Sequence, residues 1–94
     1  MTSISKVLTF PTAQTVLDRL NHILWFRAQD GSRLVRCGVT RDALLKLAGK
    51  SLMDGGLRCV YDANLPRIRA VAERKYRERG LEQDGAILVG HADL

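Results

Sequence analysis

Cysteine, histidine and aromatic residues are all scarce in this chain, and each shortage removes a class of protein. Two cysteines, Cys37 and Cys59, are too few for the disulfide framework that small secreted domains use to support a thin core. One tryptophan, two tyrosines and two phenylalanines cannot supply the succession of ring faces on which a single nucleic-acid strand stacks. His22 and His91 stand singly, and no C-x-x-C, H-x-x-x-H or H-E-x-x-H spacing occurs, so no metal site is expected. There is no G-x-S-x-G turn, and Asp54-Gly55-Gly56-Leu57 lacks the lysine that follows a phosphate-cradling loop. Cys37 falls on an inward strand position without the exposure a nucleophile needs. The expectation is therefore a protein that is not an enzyme and takes no cofactor. No apolar run approaches the ~18 residues of a membrane span, and the first residues carry Lys6 without the apolar stretch of a signal peptide. A soluble, cytoplasmic protein with two buried free thiols and no membrane partner is expected.

What is present is ordinary globular material. The 94 residues suit one domain, 1–94, and 46% hydrophobic with 27% charged residues argues against a disordered chain. A core of this size confers stability on the order of 5 kcal/mol, so self-association would help. The net charge is +5, and eleven of the fifteen cations are arginine. Arginine's planar fork matches carboxylate and phosphate, which makes an anionic partner worth testing.

Residues 23–39 carry the clearest pattern. Asp30-Gly31 between two apolar, β-branched runs predicts a hairpin, because type I′ turns need positive φ at both central positions. A two-residue loop there pairs Gln29 with Ser32, Phe26 with Val35, Trp25 with Arg36 and Leu24 with Cys37. Leu24, Phe26, Ala28, Val35, Cys37 and Val39 then share an inner face, while Ile23, Trp25, Arg27, Leu34 and Arg36 share the outer one. Displacing the bend by one residue is expected to exchange the two faces.

Upstream, residues 4–10 form a strand-like run stopped by Pro11, a candidate edge strand. Val16, Leu17 and Leu20 have helical spacing and predict a short helical turn within 12–22. Downstream, Thr40 is a natural N-cap for a helix over about 41–48 that stops at Gly49. Ser51 with Asp54 resembles a capping box for a helix over about 52–63, weakened by Gly55-Gly56. The apolar stripe continues through Ile68, Val71, Ala72 and Tyr76 over about 65–79. Pro66 makes this either one kinked helix or, the preferred reading, two helices with Asn64 as cap. Ala86-Ile87-Leu88-Val89-Gly90 is short and continuously apolar, as a strand covered on both faces would be. The fold class is α+β. A small antiparallel sheet, hairpin about 23–39 plus strand about 86–90 with 4–10 a candidate addition, packs against two or three helices.

The order of these residues resembles a known family. Ile23-Leu24-Trp25-Phe26 leads through a glycine turn to Val35-Arg36-Cys37-Gly38-Val39-Thr40-Arg41-Asp42-Ala43-Leu44. Leu65-Pro66-Arg67-Ile68-Arg69-Ala70-Val71-Ala72-Glu73-Arg74-Lys75-Tyr76, Asp84-Gly85-Ala86-Ile87-Leu88-Val89 and Ala92-Asp93-Leu94 follow. From Phe10-Pro11 to Leu94 the chain resembles a family of small bacterial proteins known as domain of unknown function 1488. The resemblance implies an α+β domain with an antiparallel sheet on helices, and implies no activity, cofactor or catalytic residue. Pro66 and Gly55-Gly56 depart from the more continuous helix expected of such relatives.

Two surfaces are left as candidates. On the outer hairpin face, Ile23, Trp25 and Leu34 form a large apolar patch beside Arg27 and Arg36, either open or covered by residues 4–10 or 12–22; tryptophan and arginine are enriched where proteins bind one another. A non-enzymatic protein-binding module follows, meeting a protein partner or a second copy of itself. The alternative is weak, sequence-independent nucleic-acid binding by the last helix, where Arg67, Arg74 and Arg77 cluster opposite the apolar stripe. Against it, Glu73 to Arg77 and Arg74 to Glu78 are spaced as i,i+4 pairs that would neutralise part of this row.

Overall fold

Alternation through the central hairpin creates a sheet with one apolar face, and the described helices pack on that face. A computed structural model describes residues 8–11, 14–49, 54–79 and 85–94. In chain order the elements are β1 (Val16–Asp18), β2 (Ile23–Asp30), β3 (Arg33–Thr40), α1 (Arg41–Ala48), α2 (Asp54–Ala63), α3 (Leu65–Arg79) and β4 (Ala86–Val89). A single 3-10 turn over His91–Asp93 follows. The strands form one mixed sheet in the order β1-β2-β3-β4, and the α+β class is as expected.

The β2–β3 hairpin turns through Gly31-Ser32, with Asp30 paired to Arg33. Gly31 has φ +62 while Ser32 keeps a negative φ. Positive φ at the first central residue alone is the pattern of a type II′ turn, which places glycine first, and this moves the bend one residue beyond the expected Asp30-Gly31. Phe26 accordingly faces Cys37, Leu24 faces Val39 and Trp25 faces Gly38, each partner two residues past the expected one. Moving a two-residue turn by one position shifts the register by two. Side-chain parity survives such a shift, so the expected exchange of faces does not occur. Leu24, Phe26, Ala28, Val35, Cys37 and Val39 are all buried.

Two strands correct the sequence reading. Val16–Asp18 is β1, antiparallel to β2, with Val16 opposite Trp25 and Asp18 opposite Ile23; it is not a helical turn. Its reversal is built locally: Asp18 accepts from the Asn21 backbone N–H (3.1 Å) and side-chain amide (2.8 Å), and His22 takes φ +57. The second correction concerns β4, which runs parallel to β3 with Arg36 opposite Ala86 and Val39 opposite Val89. A strand that returns after a layer of helices re-enters the sheet at the end where its neighbour began, so the sheet is mixed rather than wholly antiparallel. Of the candidate strand 4–10, residues 4–7 lie outside the described residues. Thr9 makes an antiparallel bridge to Gln29 through two N–H···O bonds of 2.8 Å.

Thr40 caps α1 as expected, its hydroxyl accepting from Ala43 N–H at 3.1 Å, and Gly49 closes it at φ +71 with its N–H on Leu45 O. The chain breaks between α2 and α3, with Pro66 inside the first turn of α3, where its missing N–H costs little. Asn64 does not cap α3 with its side chain. Its amide donates back to Val60 O (2.9 Å) and finishes α2, while its carbonyl accepts from Ile68 N–H. Residues 51–53, including the expected cap Ser51, lie outside the described residues. From the helices Ala43, Leu44, Leu57, Tyr61, Ile68, Val71, Ala72 and Tyr76 meet the inner sheet face in one cluster.

Two lysines hold the last turn. Lys75, 8% exposed, donates to Leu88 O at 2.5 Å and to Asp93 Oδ2 at 2.9 Å. Asp93 also accepts from Gly90 N–H at 2.7 Å. Lys46 reaches His91 O and Leu94 O.

Candidate binding face

With the helices on the inner side, the outer side chains of β1, β2 and β3 stay open. Trp25 stands at the centre of this surface, half-buried. Its cross-strand neighbour is Gly38, where a side chain would come within 2.8 Å of the indole carbons Cε3 and Cζ3. The ring thus lies across the β3 backbone, a close approach that only a residue without Cβ permits. A glycine inside a strand pattern is the signal that could have marked this floor. Arg36 is not opposite Trp25 as expected but one row along, and its guanidinium carbon sits 4.0 Å from the ring centroid.

Arg27 is directly opposite Arg36, and both side chains are exposed. Among the described residues no carboxylate pairs with either. Trp25, Arg27 and Arg36 line a shallow cleft of about 480 Å³ together with Gln14, Val16 and Asp18. The last three are contributions of the unforeseen β1 and the residues before it. Leu34, the fourth expected member, shares the face but lies nearer the turn, opposite Gln29 and outside the cleft. It is 68% exposed, as is Val16 in the cleft wall, so this face exposes large apolar side chains. Asp18 is already engaged. The Asn21 side chain, then its backbone N–H, with smaller help from the Trp25 and Leu20 N–H groups, holds its carboxyl below the usual range.

The second candidate surface lies on the other side of the molecule. Arg67, Arg74 and Arg77 are exposed on α3, whose Ile68, Val71, Ala72 and Tyr76 face the sheet. Among the described residues the ion pairs on α2 and α3 are Arg58–Asp62 and Lys75–Asp93. The expected Glu73–Arg77 and Arg74–Glu78 pairs do not close.

A second cleft, about 490 Å³, opens where the β1–β2 turn meets the start of α1, lined by Asn21, His22, Ile23, Thr40, Arg41, Asp42 and Leu88. Its polar groups already serve α1: His22 O accepts from Arg41 N–H at 2.8 Å and Thr40 from Ala43. This is capping chemistry. The cysteines divide. Cys37 is fully buried, and burial pushes its thiol up to about 12; Cys59, expected to be buried, is exposed on α2.

Comparison with known proteins agrees with this fold. A family described as "Protein of unknown function (DUF1488)" matches residues 8–89. Among solved structures, the chain is similar to the crystal structure of a protein of unknown function from the DUF1488 family of Shewanella loihica PV-4. The TM-score is 0.81 at 19% sequence identity, over 95% of this chain and 96% of that one. No curated protein matches.

Proposed function

This chain belongs to the DUF1488 family, and from that footing we propose that it is a non-enzymatic cytoplasmic module that binds protein through the open face of its sheet. The observation that supports this reading is the Trp25–Arg36 stack, placed on the one sheet face the helices leave uncovered. A half-buried indole beside a guanidinium combines large apolar area with directional donors, the composition of binding hot spots. Trp25 is the apolar anchor, Arg27 and Arg36 orient the partner, and Leu34 extends the apolar contact. Either another protein or a second copy of this chain could occupy the face.

The test is site-specific photo-cross-linking in bacterial cells. Leu34→p-benzoylphenylalanine should give a discrete protein adduct that Trp25→Ala removes, while circular dichroism of that variant stays native. The same label at Arg67 should give none. Equal, diffuse labelling from both positions, indifferent to Trp25→Ala, would sink the reading.

A second reading has one observation in its favour: the arginines of α3 are exposed and the carboxylates expected to neutralise them stay apart. Arg67, Arg74 and Arg77 would then contact phosphates, each adding about 0.9 to the log–log salt slope on duplex DNA. Titration of labelled DNA and RNA at two salt concentrations decides this. Steep salt dependence relieved by Arg74→Ala supports it, and no binding at low salt removes it.

A further inference from the structure

The Arg27–Arg36 pair is unusual enough to specify what docks on this face. Like charges directly opposed across two strands destabilise a sheet. Here the two guanidiniums share one cross-strand row, and no described carboxylate answers them. Stacking on Trp25 at 4.0 Å also fixes the plane of the Arg36 guanidinium, leaving its edge available for the two parallel hydrogen bonds a carboxylate accepts. Beside that edge the cleft offers the apolar walls of Trp25 and Val16.

We propose that the occupant of this face is a segment of another protein carrying an aspartate or glutamate next to a large apolar side chain. The carboxylate bridges Arg27 and Arg36, and the apolar neighbour fills the cleft against Trp25. This inference rests on the protein-binding reading above. A second copy of this chain fits poorly, because a two-fold contact on this face would bring four guanidiniums together. A nucleic-acid strand fits poorly too. Its bases would find a single tryptophan on a face that also exposes the apolar Val16 and Leu34.

The experiment is selection of a random dodecapeptide display library on the intact chain, followed by titration of the selected synthetic peptides. Peptides should emerge with Asp or Glu adjacent to Leu, Ile or Phe. Arg27→Gln and Arg36→Gln should each weaken them about tenfold, with circular dichroism unchanged. The decisive arm is charge reversal: the Arg27→Glu/Arg36→Glu variant should reject these peptides and bind versions whose acids are replaced by lysine. Selected peptides that need Trp25 but show no acidic preference would overturn this inference and leave the protein-binding reading standing. A selection yielding nothing sensitive to Trp25→Ala would overturn both. Displacement of the peptides by single-stranded oligonucleotide at matching affinity would assign the face to nucleic acid and overturn it as well. Tighter peptide binding after Glu82→Gln and Asp84→Asn would make the chain's own acids the occupants, with the same result.

Discussion

Gly38→Ala is the sharpest perturbation of the binding face. The new methyl would sit 2.7 Å from Ile23 Cγ2 and 2.8 Å from the Trp25 carbons Cε3 and Cζ3, well inside the optimum of about 3.5–4.0 Å. Two terms favour the substitution: burying the methyl contributes about 0.8 kcal/mol, and losing a flexible glycine from the unfolded chain adds about 0.4–1 kcal/mol. Two oppose it. Overpacking costs about 1–3 kcal/mol, and the upper half applies because two side chains meet the methyl and the indole is rigid. Tipping the ring outward also forfeits the Arg36 stack, about 0.5–1 kcal/mol at an exposed site. The balance is a loss of about 1–2 kcal/mol, with Tm falling by about 4–8 °C for each kcal/mol. Urea denaturation gives the stability. The chain's one tryptophan reports the ring directly, and its emission should move to longer wavelength. A variant as stable as the parent with unchanged emission would refute the packing of Trp25 on Gly38.

Lys75→Met should cost about 2–3 kcal/mol in urea denaturation, because the Asp93 carboxylate and Leu88 O lose a largely buried donor; a change under about 0.5 kcal/mol would mean the contacts are idle. Tyr76 donates to Asp30 Oδ2 at 2.6 Å, and that bond, with burial and the Asp30 charge behind it, raises its hydroxyl above the ordinary tyrosine range. Folding thus binds this proton more tightly. The contribution is complete below about pH 10 and fades as pH rises through the raised value. In Tyr76→Phe the alkaline fall in stability should be shallower, and a parallel pH curve would contradict the assignment. Iodoacetamide at pH 8 should modify the exposed Cys59 and spare Cys37, whose thiol holds its proton to about 12; mass spectrometry of the native protein showing both alkylated would refute that burial.

The elements legible in the sequence were those whose signals are local. Thr40 and Gly49 bracket α1 by capping chemistry alone, and Pro66 divides α2 from α3 because its missing N–H suits a first turn. The inner and outer faces of the hairpin were legible because parity depends on alternation and tolerates a shift of two. What escaped depended on partners distant in the chain. Val16, Leu17 and Leu20 fit a helical period as well as a strand, and pairing with β2 decides between them. The direction of β4 depends on where the helical layer delivers the chain. Arg27 and Arg36 were legible as members of one surface; their direct opposition needed the observed register, and so did the tryptophan's seat on Gly38. Lys75 reads in sequence as one more cation in a basic run, and only the fold turns it inward.

The parallel ladder between β3 and β4 has a kinetic consequence. Arg36 and Ala86 adjoin in the sheet but are separated in the chain by α1, α2 and α3, so among the described strand pairings this closure carries the largest loop-entropy cost. The β2–β3 hairpin can form early from contacts near in sequence, whereas β4 must wait for the helices to assemble. Substitutions at Ile87 should therefore accelerate unfolding and leave the folding rate almost untouched. Until β4 docks, the hydrogen-bonding edge of β3 stands unpaired beside Val35, Cys37 and Val39, and that interval is when this protein is most open to aggregation.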